Sequence, residues 1–163
     1  MKLFRFAIAL LAGLALTVSV RADEEKIPLD KLPAKVTAAV KEKFKDAELV
    51  SASKEVEDGK TLFEVQLKFK GHAIDVTVTE DGTITAIEKE IAAKDLPKAV
   101  AAAVEEKFPK AKWTKVEEIT KGEKMTYEVL LTTADKKEFE VVLDPSGKII
   151  ETEEKKKEDK KDK

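Results

Sequence analysis

The residue best suited to metal binding or proton transfer in this chain is its single histidine, His72. A transition-metal site gathers several nitrogen or sulfur ligands, and the sequence offers neither a second histidine nor any cysteine. His72 follows Gly71 at a predicted hairpin turn, where a polar surface residue is expected. We therefore expect His72 to be a surface turn residue and predict no metal site.

Two carboxylates, Glu64 and Glu128, occupy equivalent positions on two predicted strands and face away from the predicted core. Paired carboxylates can act as general acid and base. In a chain of which 39% of the residues are charged, a solvated row of side chains explains them more simply. No nucleophile and base pair and no glycine-rich phosphate loop accompanies them. The sequence therefore predicts neither an enzyme nor a cofactor.

The candidate contact residues lie on the predicted strands. Leu130 and Val142 alternate with the core residues of their strands, so we expect them to point away from the core as an exposed apolar pair. The alternative, which we favour, is a pair covered by a neighbouring strand or by the tail, or scattered surface apolar residues. Gln66 and Thr77 face the same way in the first half of the chain. Trp113 opens a strand of the second half, where it serves as either a core residue or a partner-binding anchor.

The elements that carry these residues occur twice. Leu32-Pro33-Ala34-Lys35-Val36 of the first half matches Leu96-Pro97-Lys98-Ala99-Val100 of the second half. After single-residue slips at turns, the match continues with Asp81-Gly82 against Ser146-Gly147. A long self-match whose gaps fall only at turns indicates structural duplication.

Within each copy, an apolar stripe with helical spacing precedes apolar residues that alternate with polar ones. In the first copy we expect Asp30 as the helix N-cap and Pro33 in the first helical turn, with Asp95 and Pro97 as their counterparts in the second copy. The alternating segments are separated by short turns, which predicts antiparallel hairpins. The sequence thus predicts an α+β fold of two tandem αββββ repeats, with eight strands in one sheet and both helices on one face.

Residues 1–22 have the layout of a signal peptide. Lys2 and Arg5 precede an uncharged run from Phe6 to Val20, which is shorter than the ~20 residues that cross a bilayer as a helix. Small residues precede the expected cleavage site after Ala22. An uncleaved anchor is the alternative.

Cleavage would leave 28 basic and 33 acidic residues, a net charge of −5. An acidic surface of mixed charge argues against a nucleic-acid partner, because phosphate binding needs a concentrated basic face. Without cysteine, stability must come from core burial and hydrogen bonding. We assign the first repeat to residues 23–91, the second to 92–152, and a charged, disordered tail to 153–163.

The second copy carries a family resemblance. Tyr127-Glu128-Val129, followed by the strand 139–143 and the segment Asp144-Pro145-Ser146-Gly147-Lys148-Ile149, resembles the strand-turn-strand signature of bacterial PepSY domains. The two copies, their helices and the signal peptide resemble the PepSY-like group related to the beta-lactamase-inhibitor protein fold. The resemblance covers about residues 27–152. The first copy departs from it with Thr79-Glu80-Asp81-Gly82 at the turn.

This resemblance implies a non-catalytic module, periplasmic or secreted, that binds a protein or peptide through the free sheet face and restrains a peptidase or other hydrolase. The charge balance and the expected signal cleavage, rather than this resemblance, predict no nucleic-acid partner and no stable membrane anchor. If one half makes the contacts, we expect it to be the second, which holds Trp113, Leu130 and Val142. The alternative is a structural or stress-related envelope protein without a single dedicated partner.

Overall fold

A computed structural model describes residues 25–57 and 59–155 as one antiparallel sheet of nine strands that carries two helices. The strands lie side by side in chain order. The elements are β1 Glu25–Ile27, α1 Ala34–Lys43, β2 Glu48–Glu57, β3 Lys60–Phe69, β4 His72–Thr79, β5 Ile84–Glu90, α2 Lys98–Lys107, β6 Lys112–Lys121, β7 Lys124–Thr132, β8 Glu138–Leu143 and β9 Ile149–Lys155. The α+β class predicted from the sequence is confirmed.

The sheet differs from the predicted one at both edges. A ninth strand, β1, pairs with residues 52–54 of β2, and its Ile27 packs against the first core. At the other edge, β9 continues to Lys155, beyond the predicted end of the last strand at Thr152. The signal peptide predicted for residues 1–22 and the tail residues 156–163 lie outside the described residues.

Each helix begins directly after a proline. Pro33 precedes α1 and Pro97 precedes α2, and neither helix has a side-chain cap hydrogen bond. The expectation that Asp30 and Asp95 are the N-caps is wrong, because both lie in short 3-10 turns, Leu29–Lys31 and Ala93–Asp95. A residue before proline is forced into extended backbone, so no helix can run from these turns through the proline.

Two apolar cores hold the helices on the sheet. Val36 and Val40 of α1 are almost fully buried on β3 and β4, and Val100 and Val104 of α2 are fully buried on β7 and β8. In each helix these valines are one turn apart, so they form a stripe on a single face. Each helix is thereby fixed to its own half of the sheet.

The strand register shows that both cores lie on the same side of the sheet. Ile87 of β5 packs against the first core and pairs with Thr120 of β6. Two residues earlier on β6, Glu118 pairs with Tyr127 of the second core. Paired residues, and residues two apart on a strand, share a face. We call the side that carries the helices the helix face and the other side the free face.

Two hairpin turns press against the helices. A Cβ at Gly82 would lie 2.9 Å from the Lys35 carbonyl oxygen of α1, and a Cβ at Gly147 would overlap the Ala99 carbonyl oxygen of α2. Both glycines have positive φ, at 92° and 86°. Only glycine meets both conditions without strain.

We expect Gly147→Ala to lower the free energy of unfolding by about 3 kcal/mol, because it adds an overlap with α2 to the cost of a left-handed backbone. Gly71→Ala is the matched control: Gly71 has φ 83° and open space at its Cβ, so about 1 kcal/mol is expected there. Urea unfolding measures both values. Equal losses in the two variants would show that the turn does not press against α2.

Candidate functional site

The free face is built from the residues that alternate with the two cores. In the part of the chain that the structure describes, both helices lie on the opposite side of the sheet. Several polar side chains of the free face are nevertheless buried, namely Ser53, Thr77, Glu88, Glu117 and Glu128. Buried carboxylates are rare unless they are paired, which makes their surroundings the place to look for a site.

Four free-face residues form an acidic group in the middle of the sheet, which we call the junction cluster. It consists of Asp75 on β4, Glu88 on β5, Glu117 on β6 and Glu128 on β7. Asp75 pairs directly with Glu88, and Glu117 pairs directly with Glu128. One carboxylate oxygen from each of Asp75, Glu88 and Glu117 lies within 4.8 Å of the other two. The cluster thus spans the junction at which the two repeats meet.

One lysine compensates part of this charge. Lys115 Nζ lies 2.7 Å from Glu117 Oε1. Among the described residues, two buried carboxylate oxygens have no hydrogen-bond partner, Glu117 Oε2 and Glu128 Oε1. An unpaired buried oxygen costs about 1–3 kcal/mol, and more when it is charged. Lys115 therefore does not balance all the acidic groups of the cluster, and Glu117 and Glu128 each keep one oxygen that could accept a hydrogen bond or bind a cation.

Burial and mutual repulsion change the acidity of the cluster. Burial is the largest influence on Glu88, and with the nearby Glu117 carboxylate it raises the Glu88 pKa to about 7. Burial, followed by the charges of Glu140, Glu117 and Glu88, raises the Glu128 pKa to about 9. Burial also raises the pKa of Asp75 and of Glu117. The fold thus holds some of these groups protonated at neutral pH.

The second half of the sheet holds the same carboxylate pair in a neutralised form. Glu140 of β8 pairs with Glu153 of β9, as Asp75 pairs with Glu88. Lys155 Nζ lies 2.5 Å from Glu140 Oε2 and 3.2 Å from Glu153 Oε2. A lysine so placed offsets the repulsion between two neighbouring carboxylates.

The residue equivalent to Lys155 in the first half is an acid. The alignment that places Asp81 on Ser146 also places Glu90 on Lys155, and Glu90 pairs with Glu117 across the junction. The copy at the edge of the sheet, Glu140 and Glu153, therefore lies beside a lysine. The copy at the centre, Asp75 and Glu88, lies beside further acids.

Two of the predicted contact residues lie beside the junction cluster. Gln66 hydrogen bonds to the Asp75 carboxylate, which favours the charged form, and its Oε1 accepts a hydrogen bond from Ser51 at 2.5 Å. Thr77 is on the free face, directly opposite Glu64, and is buried. Both have the orientation that the sequence predicts. Their role in partner binding stays a prediction.

The predicted apolar pair is on the expected face but is not an exposed patch. Leu130 is only 5% exposed, and Val142 is partly buried. An exposed contact pair is therefore wrong for Leu130, and the favoured alternative, cover by neighbouring strands, agrees with the structure because these strands place Glu140 and Lys115 directly beside it. Trp113 pairs with Leu131 on the helix face and packs against the second core.

The structure also places the other two residues that the sequence analysis considered for chemistry, His72 and Glu128. His72 Nδ1 lies 3.0 Å from the Glu90 carbonyl oxygen beside its turn, and His72 belongs to no acidic cluster among the described residues. Glu128 was expected on a solvated face, and this expectation is wrong because Glu128 is 3% exposed. Sequence reasoning missed Glu88 and Glu117, since only the pairing of β5 with β6 brings them together. No local pattern marks either acid, because Glu88 is followed by Lys89 and Glu90, and Glu117 is followed by Glu118.

We expect the protein to lose at least about 3 kcal/mol of stability between pH 5 and pH 9. The folded-state pKa values of Glu88 and Glu128 lie above the ordinary value of 4.5, so the folded state binds more protons in this window and stability falls as pH rises. The charged neighbours that face these two groups are Asp75, Glu117, Glu140, Lys115 and Lys121. Urea unfolding at pH 5, 7 and 9 measures the loss.

Glu128→Gln should flatten this profile, whereas Glu138→Gln, at an exposed position on β8, should leave it unchanged. A profile that rises from pH 5 to pH 9, or one that is the same in wild type and Glu128→Gln, would contradict the burial of an uncompensated carboxylate at this position.

The described residues contain no helix that is long and apolar enough to cross a membrane. A search of curated proteins finds no significant match. Among solved structures, a BLIP-like protein from Bacteroides fragilis is 14% identical, with a TM-score of 0.63 over 77% of this chain and 88% of that chain. A DUF2874 family protein from Bacteroides uniformis is 16% identical, with a TM-score of 0.66 over 75% of this chain and 88% of the other.

A third structure, described as one of the "putative periplasmic proteins" of Bacteroides eggerthii, is 15% identical, with a TM-score of 0.66 and the same coverage of 75% and 88%. At these identities the likeness shows the fold. The sequence itself matches one family model twice, over residues 18–86 and 79–151, and the two matches together span both repeats. The chain therefore belongs to the family described as "Putative beta-lactamase-inhibitor-like, PepSY-like".

Proposed function

We propose that this protein is an exported, non-catalytic binding module that docks a protein or peptide partner against the free face of its sheet, in the periplasm or outside the cell. The family and the beta-lactamase-inhibitor-like fold support binding as the activity. The signal peptide predicted for residues 1–22 and the Bacteroides eggerthii structure described as periplasmic support the location.

The observation that carries the proposal is the difference between the two sides of the sheet. The helix face is covered by α1 and α2 over two closed cores. The free face has no such layer among residues 25–57 and 59–155, although it holds Leu130, Val142 and the junction cluster. An antiparallel sheet commonly leaves one face open to solvent, and a face with buried polar groups and partly buried apolar groups suits a docked chain.

Partner chemistry follows from the charge of this face. Even where Glu88 and Glu128 are protonated, the free face holds more acids than lysines: Asp75, Glu90, Glu117, Glu140 and Glu153 lie near Lys115, Lys121 and Lys155. Charge complementarity favours a partner segment that carries lysine or arginine, and it raises the rate of association more than the final affinity. Inhibition of a peptidase or other hydrolase is the form of binding that we assign to this face, because family resemblance favours it.

A photo-reactive residue placed on the free face should crosslink the partner. We expect the mature chain with p-benzoylphenylalanine at Val142 to crosslink one envelope protein in extracts of the source organism. The same probe at Ala102, an exposed residue of α2, should not. Mass spectrometry identifies the product, and binding of that purified protein is then measured directly.

Val142→Glu should weaken this binding at least about tenfold, because it adds a negative charge within a docking face that is already acidic. Ala102→Glu is the matched control on the helix side and should bind as wild type does. Equal crosslinking from both positions, or equal affinity of both variants, would contradict docking on the free face and favour a structural role without a dedicated partner.

A further inference from the structure

The carboxylates of the junction cluster are close enough to share one ion. The oxygens of Asp75, Glu88 and Glu117 lie within 4.8 Å of one another. Calcium binds oxygen ligands at about 2.3–2.6 Å, so two ligands on opposite sides of the ion are about 5 Å apart. Magnesium needs about 2.1 Å and a near-ideal octahedron, which draws opposite ligands to about 4.2 Å. Oxygens that lie within 4.8 Å of one another can contact one such ion, and a group of side chains from three strands suits calcium, which tolerates irregular geometry, better than magnesium, which does not.

A second observation, separate from the spacing, also points to a ligand. Glu117 is 2% exposed and Glu128 is 3% exposed, yet Glu117 Oε2 and Glu128 Oε1 have no hydrogen-bond partner. Glu128 lies directly opposite Glu117 on the same face of the sheet. Unpaired buried acceptors need an explanation in a folded protein, and a cation bound to Glu117 supplies one for Glu117 Oε2.

The comparison between the two repeats shows what differs at the junction. In the second half, Lys155 bridges Glu140 and Glu153 and supplies the positive charge. In the first half, the equivalent position holds Glu90, which adds a further acid beside Asp75 and Glu88. Lys115 contacts Glu117 Oε1 and leaves Oε2 without a hydrogen bond. The chain thus neutralises one copy of the pair with a lysine at this position and leaves the other suited to an outside cation.

We infer that the junction cluster is a binding site for a divalent cation of the calcium type, with carboxylate oxygens of Asp75, Glu88 and Glu117 as ligands and the Glu128 carboxylate beside them. The donor set consists of oxygens, which hard cations prefer over softer transition metals. The remaining coordination positions are left to water. Asp75 and Glu88 belong to the first repeat and Glu117 to the second, so the ion links the two halves of the sheet.

Calcium titration of the metal-free mature chain at neutral pH tests the site. We expect saturable binding of one ion per chain in isothermal titration calorimetry, with a Kd of about 10⁻⁴ to 10⁻³ M, the range of extracellular calcium modules. Calcium at about ten times the Kd should raise the melting temperature by about 3 °C. Magnesium should bind more weakly.

Two substitutions separate this site from general attraction to an acidic surface. Glu117→Gln removes a ligand and should weaken calcium binding at least about tenfold. Glu153→Gln changes the residue equivalent to Glu88, which lies on the edge strand and contacts Lys155, and should leave the affinity within about twofold. Circular dichroism and thermal unfolding without metal check that both variants fold. Glu117→Gln should melt no lower than wild type, because it removes a buried negative charge.

Asp75→Asn gives a second test that does not depend on Glu117, and it should lower the affinity by a similar factor. The inference is overturned if about 5 mM calcium neither releases heat nor shifts the melting temperature. Equal affinity in Glu117→Gln and Glu153→Gln also overturns it, because this result means adventitious surface binding. The inference is independent of the proposed function: crosslinking through Val142 is tested with chelator present, so either proposal can fail alone.

Discussion

The strands that build the two cores also hold four carboxylates on the free face. Val116 of the second core precedes Glu117, and Val129 of the same core follows Glu128. In the first half, Asp75 lies between two buried residues of its strand, Ile74 and Val76. Because side chains alternate along a strand, moving an acid to the other face would move core residues into solvent. The apolar pattern therefore fixes where the negative charge lies, and the rest of the free face depends on it.

Duplication explains why this charge collects at the centre of the sheet. A single repeat ends in a strand whose carboxylate pairs with one neighbour, as Glu153 does with Glu140 at the edge. When a second repeat follows, its first strand adds Glu117 next to the corresponding pair of the first repeat. Lysine at position 155 and glutamate at position 90 are the two outcomes of one ancestral position. The edge copy is partly neutralised by a lysine of the chain, whereas the central copy is suited to an external cation.

Local patterns were enough to predict the helices, the hairpins and the side of the sheet on which Leu130 and Val142 lie. They were not enough for features that depend on contacts between the repeats. The strand of residues 25–27 is too short to show a periodic pattern, and Asp30 resembles an N-cap until the extended backbone before Pro33 is considered. The junction cluster draws its members from four strands and two repeats, so no segment contains its signal. For the same reason the sequence predicts Glu128 to be a solvated carboxylate, although the fold buries it.

The central claim is that a cation occupies the junction between the repeats, and a crystal structure of the mature chain with about 10 mM calcium tests it most directly. Long-wavelength anomalous data locate calcium without reference to the protein coordinates. The account predicts one peak about 2.3–2.6 Å from carboxylate oxygens of Asp75, Glu88 and Glu117. It is contradicted if the junction shows no peak and Glu117 Oε2 instead accepts a hydrogen bond from Lys115 or from another side chain of the protein.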